Sequence, residues 1–244
     1  MNPHEEQTLI DHLTELRKRL IWAVGAMLLG MCICWAFSEQ LMDVMRHPIA
    51  PYLPEGGLIF TGVMDKFMAH IKVAAFGGVI LSCPLWIYQI WKFVSPGLYE
   101  NERKYAGAFI GCGSLLFLVG VCFVYFFVYP MAFSFLMSFG GNQDKPMISI
   151  NEYLSFFTTT TLMFGLAFEM PLFLVVLALI GLIDADFLKK NRRYAIVIIA
   201  VASAILTPPD VVSMAMMMGP MLFLYESAIW AIVLLVRKRE QIKE

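Results

Sequence analysis

The chain has 244 residues, 59% hydrophobic and 15% charged, with a formal net charge of −1 and a mean hydropathy of +0.72. Soluble domains carry about 25% charged residues, so the composition excludes an ordinary soluble fold and places the chain among all-α polytopic membrane proteins. The net charge says little; where the charges fall along the chain says more.

The N-terminal arm is acidic at Glu5, Glu6, Asp11 and Glu15, then basic at Arg17-Lys18-Arg19. No small-x-small cleavage site follows Phe37, so the first apolar span is expected to stay. Leu9, Leu13, Leu16 and Leu20 recur at helical spacing and predict an amphipathic run entering that span. Glu15 lies off the leucine stripe, where the plain expectation is an i,i+4 pair with Arg19 contributing a few tenths of a kcal/mol.

Apolar stretches predict spans at about 20–37, 70–92, 105–129, 153–183, 194–207 and 211–236, all within one integral membrane domain, residues 1–244. Crossing about 30 Å of hydrocarbon needs around 20 residues. The fifth stretch, Tyr194 to Thr207, rises only about 21 Å, so the bilayer must thin there or neighbours must shield it. Between spans, Pro48, Pro51, Pro54 and Gly56-Gly57 predict bends and short helices over 38–69. Pro96-Gly97 opens a turn between the second and third spans, and residues 138–152 are turn-rich around Gly140-Gly141-Asn142 and Pro146. Thr207-Pro208-Pro209-Asp210 predicts a tight turn whose prolines end span five and whose Asp210 caps span six. All five cysteines lie in apolar runs, where neither a disulfide framework nor a metal site is expected.

Fourteen of the 18 lysines and arginines fall on the arm, the 92–104 and 189–193 joints and the tail; four, Arg46, Lys66, Lys72 and Lys145, fall on the other side. The positive-inside rule then puts both termini in the cytoplasm, the arrangement an even number of spans requires.

Glu169 sits within the apolar run Leu162–Leu182, with no opposite charge within two helical turns. Insertion scales charge about 2.5–3.5 kcal/mol for an acid at mid-bilayer, so such a residue is sheltered or functional. Thr158, Thr161 and Gly165 share its helix face within about 80° and form a polar stripe. Hydroxyls bonded to local backbone carbonyls are the plain reading, but their alignment with the acid favours a hydrated groove, bent open by Pro171. Glu226 is a second intramembrane acid, nearer the inner edge. No phosphate loop, H-E-x-x-H or G-x-S-x-G is present, so the chain is expected not to be an enzyme, to carry no cofactor, and to draw work from a partner or the membrane potential. A proton-coupled small-solute transporter with Glu169 as relay is one such machine, and a membrane scaffold another. The paired broken helices and internal duplication of many transporters are missing from the sequence.

Four motifs occur in register along the chain: H-L-x-E-L-R-x-R-L at 12–20, F-x-x-P-x-L-Y-x-x-E-R at 93–103, F-G-x-x-F-E-x-P at 164–171 and T-P-P-D at 207–210. Together they resemble the TatC family, the core receptor subunit of the twin-arginine translocase, over essentially the whole chain. The resemblance implies a cupped, concave bundle of six transmembrane helices in the cytoplasmic (inner) membrane, N-in and C-in. It implies binding of twin-arginine signal peptides and export of folded proteins on the proton motive force. The implied partners are single-span TatA- and TatB-type subunits, the lipid bilayer and further copies of the chain, with no nucleic acid. Carried onto this sequence, the signal-binding residues are Glu15 and Glu102, with Arg17 and Phe93 beside them. Glu169 becomes the acid of the concave face, and Pro48 and Asp210 match functional loop positions. Met214 stands where some members carry a glutamine, and it cannot donate the same hydrogen bond; the methionine run from Met214 to Met221 offers soft, adaptable packing instead.

Overall fold

The computed structural model describes residues 3–53, 57–94, 106–138, 147–207 and 211–243. Apart from an isolated bridge between Ile59 and Ser149, its regular structure is helical among the described residues. In chain order these are α1 (Pro3–Ala36), α2 (Ser38–Arg46), a 3-10 turn (Ala50–Tyr52), α3 (Asp65–Leu81), α4 (Cys83–Val94) and α5 (Ala106–Phe123). A π-helical turn (Val124–Val128) leads into α6 (Tyr129–Ser138), followed by α7 (Ile150–Phe168), α8 (Met170–Leu179), α9 (Ala185–Lys190), α10 (Arg192–Leu206) and α11 (Val211–Lys243).

Among the described residues four helical stretches are long and apolar enough to cross a membrane: Leu13–Ala36, Gly107–Ser138, Ile150–Leu179 and Val211–Leu234. The pair α3 and α4, bent by 57°, makes a fifth if it counts as one span. With 15 residues, α10 is about 22 Å long, as short as its sequence predicts.

Where the sequence predicts one stretch over 70–92, the chain breaks at Ser82. Pro84 has no N–H to give and cannot continue the ladder. Ser82 turns its hydroxyl back onto the Gly78 carbonyl at 2.7 Å, and the Trp86 indole donates to the Val79 carbonyl at 3.1 Å. The break therefore leaves its carbonyls supplied, which an apolar environment demands.

The chain forms two compact units. In the first, Met1–Leu41 with His70–Ser114, α1 packs along α4. Here α1 also meets α3 backbone to backbone: a Cβ on Gly30 would stand 2.7 Å from the Gly78 carbonyl oxygen. Small residues allow this approach, the usual way helices associate where lipid removes the hydrophobic drive.

The second unit comprises Met42–Ala69 and Leu115–Glu244. There α11 packs against α8, α9 and α10, and touches α6 and α7. Its aromatic core stacks Tyr129 on Phe157 at 4.6 Å and on Phe133 at 5.6 Å. A second close crossing uses Gly120, whose Cβ would meet the Phe164 carbonyl at 2.9 Å, and Gly165, whose Cβ would strike the Phe117 ring at 2.6 Å.

Candidate functional site

The N-terminal arm continues without interruption into the first apolar stretch as one 34-residue helix, α1. Glu15 is half-buried on it, and one oxygen accepts from Arg19 Nη2 at 2.9 Å, the i,i+4 pair its spacing predicts. Arg19 Nε is buried without a partner, so the guanidinium is only partly satisfied. Arg17 is exposed and stands about 200° around the helix from Glu15. Phe93 is the penultimate residue of α4, in the same unit, and is half-buried. Near it Trp91 stacks on Phe109 at 4.4 Å, which fixes the C-terminal end of α4 against α5. Glu102 lies outside the described residues, as does Asp210.

In the second unit the ladder from α7 to α8 is interrupted at Glu169 itself. Pro171, in the first turn of α8, supplies the interruption: its ring fits a helix start and not a helix interior. Glu169 is half-buried, and its Oε1 is enclosed with no hydrogen-bond partner. The polar stripe running toward it is already engaged with protein. Thr158 donates to the Leu154 carbonyl at 2.7 Å, and Thr161 is buried, 2.7 Å from the Tyr129 hydroxyl. Thr158 thus follows the local-bonding reading, whereas Thr161 is met by a phenol from another helix, and Glu169 keeps an unspent polar atom on the stripe. Glu226, the other intramembrane acid, pairs with Arg192 at 2.8 Å.

Met214 is half-buried on α11, while Met217 and Met221 are buried. Part of the methionine run therefore serves packing within the chain. Pro48 is buried in the turn after α2.

Sequence reasoning missed the tyrosines. Tyr129 donates to the Phe157 carbonyl at 2.6 Å, Tyr125 to the Val44 carbonyl at 3.0 Å, and Tyr153 to the Met45 carbonyl. The available signal was that a phenol in an apolar span must find an acceptor, and Tyr125, Tyr129 and Tyr153 all fall in predicted spans. It also missed Asp65, which accepts from Gly62 N at 2.6 Å, Thr61 N at 2.8 Å, Thr61 Oγ1 at 2.9 Å and Asn151 Nδ2 at 2.7 Å. That carboxylate ties the turn before α3 to the start of α7.

The family model for Sec-independent protein translocase protein (TatC) matches residues 11–220. A protein of that name from Campylobacter jejuni is 42% identical over 222 residues, covering 90% of this chain and 91% of that one. Another of that name, from Desulforapulum autotrophicum, is 39% identical over 241 residues, covering 98% and 89%. Among solved structures, the crystal structure of the twin-arginine translocase receptor TatC in DDM superimposes with a TM-score of 0.80 at 37% identity, covering 91% of this chain and 99% of that one. The motifs, the helical membrane fold and these likenesses over nearly the whole length lead to one conclusion: the chain belongs to the TatC family of Sec-independent protein translocase proteins.

Proposed function

We propose that this chain is the signal-reading receptor of a twin-arginine translocase in the cytoplasmic (inner) membrane, with both termini inside. It crosses the membrane six times as one integral domain, the bent pair α3–α4 forming the second span and the short α10 the fifth. The observation that carries this reading is the 0.80 superposition on a TatC receptor over 91% of the chain.

In this reading Glu15 and Glu102 hold the two arginines of the signal. A carboxylate accepts two parallel hydrogen bonds from one guanidinium, while a lysine ammonium offers only a compact charge. Glu15 is suited to the exchange, because its present partner is its own neighbour Arg19 through a part-buried i,i+4 pair, a kind that contributes only a few tenths of a kcal/mol. A signal arginine displaces a weak local bond rather than an anchored one. Arg17 and Phe93 flank the same inner rim. Glu169, Met214 and the outer positions Pro48 and Asp210 serve the approach of TatA- and TatB-type single-span partners and of further copies of the chain. The proton motive force supplies the work.

Photocrosslinking from position 102 tests this reading. A signal peptide with paired arginines should crosslink strongly and its paired-lysine version weakly; equal yields would contradict the proposal.

A further inference from the structure

The tyrosine contacts in the second unit suggest a device that the signal-reading role does not use. Helix α2 has nine residues, too few to hold itself together. Met42, Met45 and Ile49 bury its apolar side. A helix end leaves its last carbonyls without partners, and these are usually met by a capping glycine or by water. Here two of them take phenols from distant chain: Tyr125 donates to the Val44 carbonyl, beside a long shared backbone bond from His47 N at 3.3 Å, and Tyr153 donates to the Met45 carbonyl.

The two bonds differ in setting. Tyr153 is buried against Phe133 and Phe157, and its bond to Met45 is enclosed. The bond from Tyr125 to Val44 is exposed, so a competing donor can reach it. Tyr125 also sits in the π turn Val124–Val128, a geometry that is uncommon and gathers at working sites. An ordinary α turn in its place would rotate one side of the helix against the other by about 100° and carry the phenol off Val44. The turn and the bond are therefore coupled. Beyond α2 the chain turns through Pro48 and Ile49 to Tyr52, whose hydroxyl lies 3.4 Å from the Pro130 carbonyl on α6.

We propose that Tyr125 and Tyr153 are positioning residues forming a two-point clasp on the C-terminal carbonyls of α2, with Tyr153 the buried pivot and Tyr125 the releasable side. The clasp sets the corner 46–52 that carries Pro48. The transport consequence rests on the reading of that corner as functional; the clasp itself rests on the geometry.

Amide hydrogen exchange on the full-length chain in lipid nanodiscs tests it, together with export and signal crosslinking in cells. Tyr125→Phe keeps the ring and removes only the donor. Exchange over 46–52 should rise about fivefold, the factor that one ordinary neutral hydrogen bond is worth. Exchange over 150–168 should stay unchanged, and export should fall while arginine-signal crosslinking holds. Tyr129→Phe, the control, should loosen 157–161 and leave 46–52 alone. Unaltered exchange over 46–52, a rise spread equally into 150–168, or undiminished export would each overturn the proposal. Failure of the receptor reading would be seen separately, as wild-type protein that crosslinks arginine and lysine signals alike.

Discussion

Glu169 and Glu15 show how differently two carboxylates behave in one chain. Glu15 has a partner and a third of its side-chain surface free, so it can trade that partner for another. Glu169 has an enclosed oxygen with none, and an uncompensated buried polar atom costs about 1–3 kcal/mol, a cost retained only where it serves something. Glu169→Ala should therefore fold at least as stably as the native chain and still crosslink arginine signals, yet lose export by tenfold or more (roughly the loss of one charged hydrogen bond). Wild-type export in that variant would remove Glu169 from the mechanism. Glu15→Gln keeps size and loses charge; signal-peptide affinity should drop about tenfold, while Arg19 gains exposure measurable by arginine-selective labelling. The Glu15–Arg19 pair was legible from its spacing, and the helix break beside Glu169 from Pro171. The local bond of Thr158 was among the readings its spacing offered; the engagement of Thr161 was not, because its Tyr129 partner lies 32 positions away and sequence pattern carries no such pairing.

At the scale of elements, breaks and crossings matter more than helix propensity. Pro84 and Pro171 each mark a helix interruption; the one at Pro171 is expected from its missing donor, whereas the sequence reads 70–92 as one stretch across Pro84. The π turn carries no proline or glycine to mark it, and the helix runs on past Pro130 to Ser138, beyond the span end at 129 that the sequence predicts. Crossings at Gly30–Gly78 and Gly120–Gly165 depend on absent side chains. Gly78→Leu would force a branched side chain into the backbone of α1. The cost should be about 3 kcal/mol or more, seen as a lower unfolding temperature in detergent. Gly25→Ala faces open space and should change that temperature little. Equal losses in both variants would argue against backbone contact as the cause.

For the whole molecule, hydropathy and charge asymmetry made the membrane class and most spans legible, and the family motifs at 12–20, 93–103, 164–171 and 207–210 carried the rest. The short α10 was foreseen from its length, whereas the tertiary closure of α2 by phenols had no local signature. The proposed topology makes a direct prediction: single cysteines placed at position 143 should react with an impermeant reagent from outside, and at 189 only after the inner face is opened. The reverse pattern would overturn the orientation. The central claim is that paired carboxylates at the inner rim read paired guanidinium groups, and equilibrium binding of signal peptides to the purified chain tests it most directly. The account predicts that replacing both arginines by lysines weakens the native chain about 100-fold, roughly 1.4 kcal/mol per forked bond lost, and weakens a Glu15→Gln, Glu102→Gln chain hardly at all. Equal affinity of the native chain for arginine and lysine signals would contradict it.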